Sequence, residues 1–311
     1  MEVQVRGVAQ ALETEFAVKR VSPRGLWRLL APWIGIDPRE RFGSDGSQFS
    51  LPWPDIALAT GRLSVPALRA VRRAAPGAYT VIIQDPRTGA GSADLVAVPA
   101  HDKLTGENVM HTLTAPHVFS PARLSALRRT VPKEISALPT PRTTVVLGGP
   151  NAIYGFTEED SARLGVSLAS LAALGASFLI TSSRRTPQHA LEAVLEATKQ
   201  APRLVWDGAG ENPYEKWLAH GDMFVVTADS INMTGEACAT GKPVYVFEPA
   251  GGSVKFERFH ESLRRYGATR KLPEHFEQLD SWAYAPLDSA VQIAAEIERR
   301  WIKRQARATK G

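Results

Sequence analysis

Short apolar, β-branched runs alternate with longer amphipathic stretches through the second half of the chain. Thr143–Leu147, Ser177–Thr181, Arg203–Trp206, Met223–Thr227 and Pro243–Phe247 read as strands. Between the first two, Thr157 precedes Glu158, Glu159 and Asp160, a helix start with acids in its first turn. That helix runs to about Leu174, where Gly175 stops it. Thr186-Pro187 opens another helix, with proline at the first helical position. Asn212-Pro213 opens a short one, and Ile231–Thr240 forms a helix closed by Gly241. Strands alternating with helices predict a parallel sheet covered on both faces.

The first half repeats the pattern less cleanly. Asp55–Thr60, Thr80–Gln84 and Asp94–Val98 read as strands, with Val109–Leu113 as a fourth and helices over Val65–Ala74 and Arg123–Arg129. Val131–Arg142 holds Pro132, Pro139 and Pro141 and reads as a linker. Domains over 1–139 and 140–288 follow, with a closing helix in 289–311 that runs over Ser289–Ala306. Val3–Glu13 reads as a helix, with Val5, Val8, Ala9 and Leu12 on one face. A doubly wound domain normally opens with a strand and a glycine loop. Two alternatives follow: this start is misassigned as a helix, or the first domain lacks its first strand.

Composition changes this picture little. The 311 residues are 44% hydrophobic and 22% charged, as in ordinary globular proteins. The single cysteine, Cys238, excludes a disulfide framework within the chain and any multi-cysteine zinc site. No apolar run approaches the roughly 18 residues of a spanning helix, and Met1–Arg6 lacks the pattern of a secretory signal. A cytoplasmic protein is expected. Charge is more telling. Residues 1–139 carry 17 Lys and Arg against 12 Asp and Glu, whereas residues 140–311 carry 20 of each. The excess of +5 therefore belongs to the first half and points to an anionic partner there.

Dinucleotide, P-loop, α/β-hydrolase and zincin motifs are absent. The chemistry instead gathers in loops that follow strands: Gly148-Gly149-Pro150-Asn151, Ser182-Ser183-Arg184-Arg185, Asp207–Asn212 and Thr227-Ala228-Asp229-Ser230. Ligands of open α/β sheets bind at that edge. Glycine pairs admit a phosphate close to the backbone, helix N–H groups attract its charge, and Arg184 or Arg185 offers a bidentate partner. Glu236, in the second turn of its helix, suits a ribose diol. Taken singly, each loop is also an ordinary turn with a capping Ser, Thr or Asn.

The stretch Thr227–Val244 resembles the signature of the family of the plant mitochondrial-fission factor named for elongated mitochondria, and of its bacterial relatives. Gly148–Asn151, Asp207-Gly208 with Glu211–Tyr214, Gln84–Arg87 and Pro99–Asp102 agree with it, so the likeness spans roughly residues 50–270. That family in turn resembles GT-B glycosyltransferases, especially those acting on lipid-linked acceptors. The resemblance implies an α/β fold of two Rossmann-like domains facing a cleft, with a nucleotide-sugar, a uridine nucleotide, held by the C-terminal domain. It implies donor contacts from Gly148, Gly149, Asn151, Ser182, Arg184, Thr227, Asp229, Ser230, Met233 and Glu236. No metal and no separate cofactor are implied.

His101 and Asp102 follow a strand of the first domain and are the candidate general base, since an attacking hydroxyl must lose a proton. A loop histidine beside a capping aspartate is the plainer alternative. His101, His111 and His117 are spaced ten and six apart, which fits no compact zinc motif. Cys238 reads as a buried structural thiol. Lys19–Ile34 mixes basic residues, among them Arg24 and Arg28, with Trp27, Trp33 and leucines. It suits an anionic membrane face or, alternatively, packs its aromatic side on the first domain. No nucleic-acid fold signature accompanies it. The expected activity is transfer of a sugar from a nucleotide-sugar to an acceptor, lipid-linked or soluble, at the inner membrane face. The alternatives are a non-catalytic membrane-recruitment adaptor on the same scaffold and an isomerase or hydrolase of nucleotide-sugars.

Overall fold

The computed structural model describes residues 1–206 and 208–308, in two compact units. The first unit comprises Met1–Val118 and Asp288–Gly311, and the second Phe119–Leu287.

The first unit opens with α1 (Glu2–Ala11) and the short α2 (Gly25–Leu30). Then follow β1 (Ile56–Thr60), α3 (Val65–Ala74), β2 (Tyr79–Ile83), β3 (Leu95–Pro99) and β4 (Val109–Thr112). The strands form one parallel sheet in the order β1-β2-β3-β4. Among the described residues no strand precedes β1. Successive strand residues face opposite sides. Ile82, Val96 and Val98 pack with Val65 and Leu68 of α3. Val81, Ile83, Leu95 and Ala97 pack against Val8 and Leu12 on the other face, together with Ile293 and Ile297 near the end of the chain.

The second unit begins with α4 (Pro121–Arg128) and α5 (Lys133–Ser136). It continues through β5 (Arg142–Leu147), α6 (Glu158–Ala173), β6 (Ser177–Ser182), α7 (Gln188–Ala197) and β7 (Arg203–Trp206). Next come α8 (Tyr214–His220), β8 (Met223–Thr227), α9 (Ile231–Cys238), β9 (Val244–Phe247), α10 (Val254–Tyr266) and β10 (Thr269–Lys271). The last helix, α11 (Ser289–Ala308), returns to the first unit. The boundary expected near residue 140 therefore falls at 118/119. The proline-rich segment is no linker, because Ile135 and Leu138 are buried against Leu179 and Trp217.

The second sheet is parallel, in the order β10-β9-β8-β5-β6-β7. From β5 the chain winds outward through β6 and β7, then returns to place β8 on the other side of β5. That reversal makes the crevice beyond β5 and β8 a topological switch point. Helix α6 starts as its sequence dictates. The Thr157 hydroxyl accepts from the Asp160 amide at 3.1 Å, and the Asp160 carboxylate accepts from the Thr157 amide at 2.9 Å. Pro187 stands at the N-cap of α7, one place earlier than expected.

Candidate functional site at the carboxyl edge of the second sheet

One buried carboxylate ties together the loops that follow β5, β6 and β8. Asp229 is fully withdrawn from solvent. One of its oxygens accepts from the Thr227 hydroxyl at 2.6 Å. The other accepts from the Gly149 amide and the Arg185 guanidinium, both at 3.0 Å. Thr227 in turn accepts from the Gly148 amide at 2.8 Å. Arg185 also donates to the carbonyls of Gly149 and Pro150, and the Thr186 hydroxyl donates to those of Leu147 and Gly148. A charge taken out of water must be paired and hydrogen-bonded, and this one is.

The glycine pair follows from the same packing. A Cβ on Gly148 would stand 2.2 Å from an Asp229 carboxylate oxygen, and one on Gly149 only 2.0 Å from the Arg185 carbonyl oxygen. Both glycine amides donate inside the protein, that of Gly148 to Thr227 and that of Gly149 to Asp229. Thr227 and Asp229 hold the frame of the crevice. Asn151 does the same: its side chain donates to the Asp229 carbonyl at 3.3 Å and accepts from the amides of Ile153 and Tyr154.

Other expected residues stand nearer to solvent. Ser182 ends β6, paired in register with Leu147, and is half-buried. Arg184 is exposed. Ser230 caps α9 by accepting from the Met233 amide at 3.3 Å. One turn further, the half-buried Glu236 accepts a 2.7 Å hydrogen bond from the Tyr214 hydroxyl at the start of α8. Burial pushes the Glu236 carboxyl up to about 7, against the opposing pull of the Tyr214 hydroxyl. Burial also pushes the Tyr214 phenol well above its ordinary value. The Tyr214 ring meets Phe119 edge-on at 6.0 Å, and Arg123 lies over Phe119 while pairing with Glu215 at 2.7 Å. Glu236 is therefore a fixed carboxyl, poised between its two protonation states near neutrality.

Two contributors are set by contacts distant in sequence. Tyr214 bonds to a partner 22 residues away. Arg185, the neighbour of Arg184, is the arginine paired with Asp229. Asp207 lies outside the described residues.

The remaining candidates are in the first unit or the core. His101 is buried in the turn after β3, and the Asp102 amide donates to the Pro99 carbonyl at 2.8 Å. Cys238 is a buried free thiol whose pKa burial drives upward, as a structural cysteine requires. Among the described residues, no three His, Cys, Asp or Glu side chains gather to hold a metal ion, and no helix is long and apolar enough to cross a membrane.

In the basic segment, the Arg24 amide donates to the buried Asp37 and the Arg24 side chain is exposed, as is Arg28. Trp27 is half-buried, with Arg39 5.8 Å above its ring. Its more exposed neighbours are Leu26 at 62%, Leu29 at 70% and Trp33 at 63%.

The sequence model of the mitochondrial fission ELM1 family matches residues 1–301. The chain belongs to this family. Among its relatives, mitochondrial fission protein ELM1 of Arabidopsis thaliana is 31% identical over 291 residues, which is 86% of this chain and 66% of the plant protein. An uncharacterized protein of Rickettsia prowazekii is 32% identical over 162 residues, 50% of this chain and 46% of that one. The chain thus spans just under two thirds of the plant ELM1 protein and less than half of the Rickettsia relative. Solved structures similar to this ELM1-family chain include UDP-GlcNAc 2-epimerase from Methanocaldococcus jannaschii, with a TM-score of 0.49 and 9% identity over 79% of this chain and 77% of that one. MurG from Acinetobacter baumannii is also similar, with a TM-score of 0.43 and 16% identity over 71% and 60%.

Proposed function

We propose that the second unit binds a uridine nucleotide-sugar in the crevice beyond β5 and β8, and that the protein transfers the sugar to an acceptor without a metal ion. The observation that carries this reading is Glu236. A half-buried carboxyl, held by Tyr214 on the helix that starts at the switch point, is suited to accept hydrogen bonds from a ribose diol. Ser182, Arg184 and Met233 supply the more open contacts around it. Arg184, exposed in the loop after β6, is assigned the phosphate charge, in a bidentate pair. His101 is assigned the role of general base, with Asp102 as its neighbour. His101→Ala then lowers turnover by ~10²–10⁴-fold while donor binding persists.

A second reading is favoured by a separate observation. The exposed Leu26, Leu29 and Trp33 beside Arg24 and Arg28 suit docking on an anionic membrane at its cytoplasmic face. On that reading the scaffold recruits rather than catalyses. With catalysis, the same surface brings a lipid-linked acceptor to the protein.

Thermal unfolding with a nucleotide-sugar panel tests the donor assignment. A ligand that binds only the native state stabilises it by about 2.7 kcal/mol at a hundredfold excess over Kd. UDP-sugars should raise Tm by several degrees, and Glu236→Ala should remove most of that shift. No shift with any nucleotide or nucleotide-sugar at millimolar concentration excludes the donor site. Turnover with lipid and soluble acceptors then separates a transferase from a recruiter.

A further inference from the structure

A polar cavity of about 370 Å³ opens beside the switch point, at the carboxyl end of β9 and the start of α10. Its wall is built by a close meeting of two loops. Tyr154, from the loop after β5, bridges Gly251, from the loop after β9. The Gly155 amide donates to the Ala250 carbonyl at 2.8 Å, and the Gly252 amide to the Ile153 carbonyl at 3.0 Å. Gly251 has φ +104°, and a Cβ there would stand 2.5 Å from the Ile153 carbonyl oxygen, so only glycine allows the approach.

His260 of α10 lines this cavity and is 2% exposed. Its Nε2 lies 2.9 Å from the Ala228 carbonyl, the peptide immediately before Asp229. A carbonyl only accepts, so Nε2 carries the hydrogen and donates. Burial holds the ring's pKa down, so the ring is neutral and Nδ1 is left with a bare lone pair. Nδ1 has no hydrogen-bond partner. Buried polar atoms are nearly always satisfied, and an exception calls for an explanation. Nearby, Glu248 accepts from Arg264 at 3.2 Å and from Lys271 at 2.9 Å, and the exposed Glu257 stands on the rim. The cavity is thus lined by Glu248 and Glu257, by Arg264 and Lys271 and by the phenol of Tyr154, with the unpartnered His260 Nδ1 in its wall. Such a mixed set of donors and acceptors suits the hydroxyls of a sugar ring.

We propose that this cavity receives the sugar ring of the nucleotide-sugar, with His260 Nδ1 accepting a hydrogen bond from one of its hydroxyls. The assignment rests on the donor site proposed above. The shared wall supports it, because His260 is bonded to the same loop that carries Asp229, so a ligand seated at the switch point extends directly into the cavity.

Calorimetric titration of the whole protein with UDP, UDP-glucose and UDP-N-acetylglucosamine provides the test. One or two well-placed hydrogen bonds should make a UDP-sugar bind about tenfold more tightly than UDP. His260→Gln keeps an amide N–H for the Ala228 carbonyl but removes the Nδ1 acceptor. It should bring that ratio close to one while leaving UDP affinity within about twofold. Glu257→Gln, at an exposed position that does not endanger folding, should lower the ratio as well and carries the test if His260→Gln unfolds. A wild-type protein that binds UDP and both UDP-sugars equally overturns the cavity assignment and leaves the nucleotide site standing. So does a ratio that neither variant changes. No binding of UDP at all overturns both.

Discussion

Glu236 shows how one side chain couples a candidate site to stability. Its carboxyl ordinarily titrates near 4.5, and burial raises it to about 7 in the folded protein. Between those values the unfolded chain has lost the proton and the folded chain still holds it. The native state then binds more protons, so stability falls as pH rises from about 4.5 to about 7 and levels off above. Replacing the group by an amide that cannot ionise should remove this decline. In paired melts at pH 5 and pH 8, Glu236→Gln should lose less stability than the wild type, by an amount on the order of 1–3 kcal/mol. Equal losses in the two proteins would mean that the carboxyl is better solvated than its position on α9 implies. Asp229, nearby, has its side chain wholly buried, and its oxygens accept from an amide, a hydroxyl and a guanidinium.

The elements follow their local patterns closely where a period repeats, and depart from them where packing is made by few residues. Val65–Ala74, Arg203–Trp206 and Met223–Thr227 stand where the apolar spacing places them. The helix α10 was not foreseen, because Lys255, Glu257, Arg258, Glu261, Arg264 and Arg265 dilute an apolar stripe that is essentially Phe259 and Leu263. Ile135 and Leu138 were invisible for a similar reason, as two apolar residues among three prolines resemble a linker until the cluster they enter is seen. In the candidate site, the position of Glu236 on α9 was legible from its motif. The partners of Asp229 were not, since Arg185 and Gly149 lie 44 and 80 residues away. The closing helix was legible as a helix, but its destination was not. Ile293 and Ile297 are buried in the first unit among Val8, Tyr79 and Leu95, which makes α11 part of that unit's core. Ile297→Ala should therefore cost about 2–5 kcal/mol. Val291→Ala on the same helix, at a position 47% exposed, should stay within about 0.5 kcal/mol. Denaturant melts of the two variants give the comparison, and similar midpoints would place α11 outside the core.

At the scale of the molecule, charge and exposed apolar surface coincide in the first unit. Residues 1–118 carry 13 Lys and Arg against 11 Asp and Glu, and residues 288–311 carry 6 against 3, so the excess of +5 lies in the first unit. Within that unit α2 has no buried residue, and Leu26, Leu29, Leu30 and Trp33 face solvent beside Arg24 and Arg28. The segment is held, not loose. Arg62 donates to the carbonyls of Arg28 and Ala31 at 3.0 and 2.7 Å and closes the end of the helix. Asp37 fixes the entry by accepting from the Arg24 amide at 3.0 Å. An anchored helix that keeps leucines in water is suited to an interfacial partner. Trp27 is half-buried, and on the membrane reading Leu26, Leu29 and Trp33 would be the inserting groups. Each basic residue near an anionic leaflet contributes about 1 kcal/mol, and this attraction is screened within a Debye length of about 10 Å at 0.1 M salt. Binding should then be reversible, should rise with the phosphatidylglycerol content of vesicles, and should fall as salt is added. Vesicle co-sedimentation separates the two contributions. Arg24→Glu with Arg28→Glu should remove the dependence on anionic lipid, whereas Leu26→Ser with Leu29→Ser should weaken binding at every lipid composition. Because the four side chains are exposed, neither pair should lower Tm appreciably. A wild-type protein that stays in solution with anionic vesicles at low salt would remove the membrane from this account and make a soluble acceptor the one to pursue.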